Sequence, residues 1–135
     1  MRQLMYSATN QGGSMTKLLV PLRLLLLLTW AAPAKAHAIL LKSSPAANSV
    51  VSEPVIAISL TFNSRVDGER SRLTLIGPDL SEHKIELGRQ KSPDTLTAQV
   101  HDLKPGSYRL RWQVLALDGH ITRGEIPFRV QLRKA

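Results

Sequence analysis

Apolar and polar residues alternate along three long stretches of this chain. Ile56, Ile58, Leu60 and Phe62 fall on one side of the first, opposite Ala57, Ser59 and Thr61. Tyr108, Leu110, Trp112 and Val114 repeat the pattern against Arg109, Arg111 and Gln113. Ile126, Phe128, Val130 and Leu132 do so again, with Pro127, Arg129, Gln131 and Arg133 facing outward. A period of two is the signature of a half-buried strand, and no segment after Val55 shows a helical period. Shorter strands are expected at Ile39 to Lys42, Ser71 to Ile76, His83 to Leu87 and Thr95 to Val100, which brings the expected number to about seven.

Turn residues separate these segments: Ser44-Pro45, Asp67-Gly68, Gly77-Pro78-Asp79, Ser92-Pro93-Asp94 and Lys104-Pro105-Gly106. About seven short strands in roughly 100 residues predict an all-β, immunoglobulin-like Greek-key sandwich or barrel. Pro127 has no N–H to give to a sheet ladder, so it is placed on an edge or at a bulge. Trp112 is read as a core residue.

The first 36 residues follow another logic. Lys17 and Arg23 precede an apolar run from Leu24, and Ala34-Lys35-Ala36 has the small-x-small form of a signal-peptidase site. The apolar run is about nine residues, far short of the ~20 a membrane-spanning helix needs. Residues 1–36 are therefore expected to be a cleaved leader, with Met15 as an alternative start, and 37–135 the mature domain. Cleavage leaves 99 residues, enough for one domain.

The leader holds four of the 18 Lys and Arg residues and no acidic one, so the net charge falls from +8 to +4. The remaining charge is scattered along the strands, which argues against a nucleic-acid partner. The chain has no cysteine, and all three methionines precede residue 37, so packing alone must stabilise the domain and soft Cu(I) ligands are lacking.

Cleavage would give His37 a free amino group. An α-amine and the ring Nδ1 of one histidine can close a chelate ring around a metal, and nitrogen donors suit Cu(II) above the other common divalent ions. Asp118-Gly119-His120 adds a carboxylate and a second imidazole two residues apart. If that segment is extended, both side chains lie on one face. Read alone, Asp-Gly is equally an ordinary turn. The four donors would be the His37 amine and imidazole, the His120 imidazole and an Asp118 oxygen, a near-planar set suited to one Cu(II) per chain. Zn(II) prefers tetrahedral closure. Glu125 is either a solvated strand residue or a brace for His120, whereas His83 and His101 are read as ordinary surface residues. The N-terminus itself is expected to add little to the core.

The ordered set His37-Ala38, Lys42-Ser43-Ser44-Pro45-Ala46, Ile58 to Phe62, Leu103 to Tyr108, Trp112, Asp118-Gly119-His120, Gly124 and Phe128-Arg129-Val130 resembles the CopC/PcoC/YobA family of periplasmic copper-resistance proteins. The resemblance spans essentially the whole mature chain. It implies a CopC-like domain, a Cu(II) site at His37, Asp118 and His120, a periplasmic location and a CopD-like inner-membrane partner. It also implies a monomeric carrier or buffer with no catalysis of its own. Some members hold Cu(I) in a methionine-rich loop; the lack of mature methionine removes that site here. Two other readings remain open: a copper monooxygenase-like enzyme, for which four mature aromatics leave little substrate face, and a metal-free Ig-like interaction module.

Overall fold

A computed structural model describes residues 37–134. The expected leader, 1–36, lies outside the described residues. The chain forms eight strands: β1 (Leu40–Ser44), β2 (Ser49–Val51), β3 (Ile56–Phe62), β4 (Val66–Ile76), β5 (Glu82–Ile85), β6 (Thr95–Val100), β7 (Gly106–Ala116) and β8 (Ile121–Val130). They make a three-stranded sheet, β1-β3-β6, and a five-stranded sheet, β2-β8-β7-β4-β5.

The alternating segments form strands because each can bury one whole side. Ile56, Ile58, Leu60 and Phe62 of β3 are buried, as are Tyr108, Leu110, Trp112 and Val114 of β7 and Ile126, Phe128 and Val130 of β8. Fully burying each large aliphatic or aromatic side chain contributes about 1.5–3 kcal/mol. The Phe62 and Trp112 rings meet edge to face across the two sheets, centroids 5.3 Å apart. Trp112 lies opposite Gly124 in the β7–β8 register. A Cβ on Gly124 would collide with the Trp112 indole, so only glycine leaves room for the ring there.

Tyr108 ties the start of β7 to the preceding turn. Its hydroxyl donates to the Lys104 carbonyl at 2.8 Å and accepts from the Lys104 N–H at 3.0 Å. This is the tyrosine corner of immunoglobulin-like sandwiches.

The eighth strand, β2, was not expected. It has three residues and pairs with β8 in parallel, so it shows too little alternation to stand out. Its presence corrects the placing of Pro127, because β8 is an interior strand. Pro127 nonetheless needs no ladder donor. Its carbonyl accepts from the Asn48 N–H at 2.6 Å, and β2 pairs with β8 only from Phe128 onward. In extended backbone a residue's N and O point to the same side, so the proline ring faces the end of β2, where the ladder has not begun.

In β4, pairing with β7 is interrupted between Asp67 and Arg72. Ser71, the one buried polar side chain among the described residues, closes the gap: its hydroxyl donates to the Asp67 carbonyl at 2.5 Å and accepts from the Leu115 N–H at 3.3 Å. Ser71 thereby gives the Asp67 carbonyl and the Leu115 N–H a partner where the ladder is broken.

Candidate metal centre

Leu117 to His120 join β7 to β8, and a hydrogen bond between Ala116 and His120 closes a three-residue turn, Leu117-Asp118-Gly119. The Gly119 N–H donates to the Ala116 carbonyl, and the Ala116 N–H to the His120 carbonyl, both at 2.9 Å. Gly119 has φ +87°, a left-handed conformation that glycine adopts without strain and that three-residue hairpin loops require at this position. The segment 118–120 is therefore a turn, the second of the two readings open to it, and not the extended run that would place both side chains on one face. Strand alternation does not bring the two side chains together; the Asp118 carboxylate does. Its Oδ1 accepts the His120 backbone N–H at 3.0 Å, and its Oδ2 lies 3.0 Å from His120 Nδ1.

His37 reaches this loop from the other sheet. Ala38, the next residue, is completely buried in the core. Ile39 is then clamped by Asn63, just past β3: its N–H donates to Asn63 Oδ1 at 2.7 Å, and its carbonyl accepts the Asn63 N–H at 2.9 Å. One buried methyl group and two hydrogen bonds leave His37 little room to wander. The start of the expected mature domain thus does enter the core at Ala38, contrary to expectation. His37 itself is exposed, and its ring meets that of His120 edge to face, centroids 5.4 Å apart at 74°.

All three side chains of the expected site therefore lie at one end of the sandwich. Asp118 carries the electrostatic signature of the cluster. The His120 backbone N–H does most to hold its carboxyl below the usual range; partial desolvation opposes this, and the His120 side chain and the charges of His120 and His37 add to the lowering. As the side chains stand, no three His, Asp or Glu residues among those described form a ready-made metal cage, because Asp118 is turned to His120 rather than to a shared point. That contact engages Nδ1, so Nε2 is the other nitrogen with which His120 could bind a ligand. With side-chain exposures of 44% for His120 and 32% for Asp118, the cluster is open to solvent.

Glu125 does not brace His120. It pairs with Arg109 at 3.3 Å and Arg111 at 3.1 Å on the outer face of the five-stranded sheet. His83 and His101 are exposed and lie away from the cluster, His83 Nε2 3.0 Å from the Ser81 hydroxyl. Asn63 is the positioning residue that the sequence reading missed. A single asparagine between a strand and a turn carries no pattern that distinguishes a clamp from a loop residue.

The fold and the site together define a small immunoglobulin-like domain with an imidazole–carboxylate cluster at one end. The chain belongs to the CopC family, whose domain model matches residues 40–131. It is 33% identical over 99 residues to YobA of Escherichia coli K12, an alignment covering 71% of this chain and 80% of YobA. It is 32% identical over 108 residues to copper resistance protein C of Xanthomonas campestris pv. juglandis, covering 74% and 84%. Among solved structures it resembles CopC of Methylosinus trichosporium OB3b, with TM-score 0.66, 26% identity and coverage of 73% and 98%. It also resembles PcoC of Escherichia coli, with TM-score 0.59, 27% identity and coverage of 71% and 100%.

Proposed function

We propose that this protein is an exported Cu(II) carrier or buffer of the periplasm that binds one Cu(II) through His37, Asp118 and His120 and catalyses no reaction. The observation that carries this reading is the meeting of His37 and His120, 83 positions apart in sequence, with their rings in edge contact beside Asp118. A free amine and Nδ1 of His37, Nε2 of His120 and an Asp118 oxygen would supply three nitrogens and one oxygen, a donor set suited to tetragonal Cu(II). Binding through Asp118 requires its Oδ2 to turn from His120 Nδ1 to the metal while Oδ1 keeps the His120 N–H. The loop backbone need not move for that.

The relatives' names support copper as the cargo. One is a copper resistance protein, and PcoC is described as a methionine-rich copper resistance protein. The absence of methionine after residue 36 sets this chain apart from that description and favours Cu(II) alone. A third relative, the copper transport protein CutJ of Bacillus subtilis, is 26% identical over 98 residues, but the match covers only 18% of its length. A CopC-like region forming part of a longer transport protein supports a hand-off between this chain and a CopD-like inner-membrane partner. The deciding experiment is intact mass and copper stoichiometry of the protein purified after export. A chain beginning at His37 with one Cu(II) is expected, whereas a correctly cleaved chain that binds no copper would overturn the reading. Absence of reductant-dependent oxygen uptake by the loaded protein would separate a carrier from an oxidase.

A further inference from the structure

Charge that looks scattered along the chain is gathered on one side of the fold. Because alternate residues of adjacent strands share a face, the register places Arg72, Lys84, Arg109, Arg111, Arg123 and Arg129 on the outer face of the five-stranded sheet, with Glu82, Glu125 and, at the end of β5, Glu86, which pairs with Lys84 at 3.7 Å, as the acidic residues among them. This face, from Arg72 outward, carries a net +3. The outer face of the three-stranded sheet is built of Ala57, Ser59, Thr61, Thr95, Thr97 and Gln99, with Lys42 as its charge. Glu125 and Glu82 hold Arg109 and Arg111 in place through contacts of 2.9–3.3 Å. Arg72 and Arg129 have no acidic partner within salt-bridge distance among the described residues.

A second, independent feature adjoins the arginines. At the end of this face away from His120, an open groove of about 660 Å³ is lined by Val50, Leu80, Arg109, Pro127 and Arg129. Leu80 is 73% exposed and Val50 58%. Leu80 also has φ +65°, a left-handed conformation that a leucine adopts at a cost and that asparagine or glycine tolerates far better. A bulky apolar side chain held out to solvent at a strained turn, beside guanidinium groups that pair with phosphate, is suited to the interface of a lipid bilayer.

We propose that this face docks the protein onto an anionic phospholipid membrane, with the arginines on the headgroup phosphates and Leu80 and Val50 entering the interface. Charge complementarity selects the occupant: a net +3 sheet face set against a nearly neutral opposite face favours an extended anionic surface. Docking in this way leaves the His37–His120 end uncovered at the membrane surface, roughly 20 Å along β7 from Arg109.

The test is co-sedimentation of the exported protein, its N-terminus checked by mass, with vesicles of phosphatidylglycerol and phosphatidylcholine or of phosphatidylcholine alone. Binding to the anionic vesicles only, weakened by salt, is expected. Arg72→Ser with Arg129→Ser should lower the partition coefficient roughly thirtyfold at low salt. Leu80→Asn, which suits the local backbone, should lower it several-fold while leaving the melting temperature equal or higher. Lys42→Ser, on the opposite face, should change nothing. Equal binding to both vesicle types, or full binding by the double arginine variant, would overturn the proposal. Retention on an immobilised polyanion without vesicle binding would also overturn it and assign the face to an acidic macromolecule.

Discussion

Asp118 grips His120 at two points, its Oδ1 on the backbone N–H and its Oδ2 on Nδ1, each at 3.0 Å. The carboxylate fixes both the loop and the imbalance between the two ring nitrogens, engaging Nδ1 and not Nε2. Removing it should therefore cost copper binding twice, by deleting a ligand and by releasing the imidazole. Asp118→Ala and His120→Ala are each expected to weaken Cu(II) binding at least 100-fold in a competition titration, with a changed electron paramagnetic resonance spectrum. His83→Ala and His101→Ala should stay within a few-fold of the parent protein. Unaltered affinity in both of the first two variants would exclude these ligands.

Copper binding should weaken as pH falls, because metal must displace protons from the nitrogen donors. Asp118 does not set that dependence: its carboxyl is held below the usual range, so it is already ionised throughout the range where imidazoles and amines titrate. In the metal-free protein the sign follows from the same lowering. The Asp118 grip contributes stability above the ordinary carboxylate value and loses it as pH falls through the depressed one. Copper affinity measured between pH 5 and 8, with the loop followed by NMR at lower pH, separates the two effects.

Asn63→Ala should leave the fold intact and lower Cu(II) affinity about tenfold, since binding must then order a terminus that the Asn63 Oδ1 contact with the Ile39 N–H now holds. The loss corresponds to one hydrogen bond of about 1–1.5 kcal/mol. Asn63→Asp keeps the acceptor and should restore most of the affinity. An Asn63→Ala protein with full affinity would show that the clamp has no part in placing His37.

Tyr108→Phe should lower stability by about 1–3 kcal/mol, because the Lys104 N–H and carbonyl both lose their partner. Copper affinity should not change, as Tyr108 lies at the start of β7 and the metal cluster beyond its end. Denaturant unfolding with and without Cu(II) checks both parts.

The strands that bury one full side were legible in the chain, since Ile56 to Phe62, Tyr108 to Val114 and Ile126 to Val130 each have to satisfy the same alternation in sequence and in space. β2 was not, because Ser49–Val51 pairs in parallel and is too short to show a period. At the site, the three residue types were legible but not how they meet. Local sequence cannot tell whether Asp-Gly-His runs straight or turns, and here the hydrogen bonds of Gly119 and Ala116 decide for the turn. Glu125 was left open, for a related reason, between a partner for His120 and a solvated strand residue, and the structure decides for the second. On a strand its side is fixed by register, and that side is the one carrying Arg109 and Arg111.

Burial of Ala38 and the Asn63 clamp on Ile39 fix the chain so that position 37 stands beside His120. If the His37 amine is a donor, the bond just before it becomes a lock on the metal site. While residue 36 is attached, that nitrogen belongs to a peptide and cannot coordinate as an amine. A chain carrying one extra residue should therefore bind Cu(II) orders of magnitude more weakly, with every side chain in place and the same melting temperature. Equal affinity and an identical electron paramagnetic resonance spectrum for the extended and authentic proteins would exclude the chelate. A precursor that has not crossed the membrane would then be unable to take copper from the compartment in which it is made, and the protease that trims it would also be what arms it.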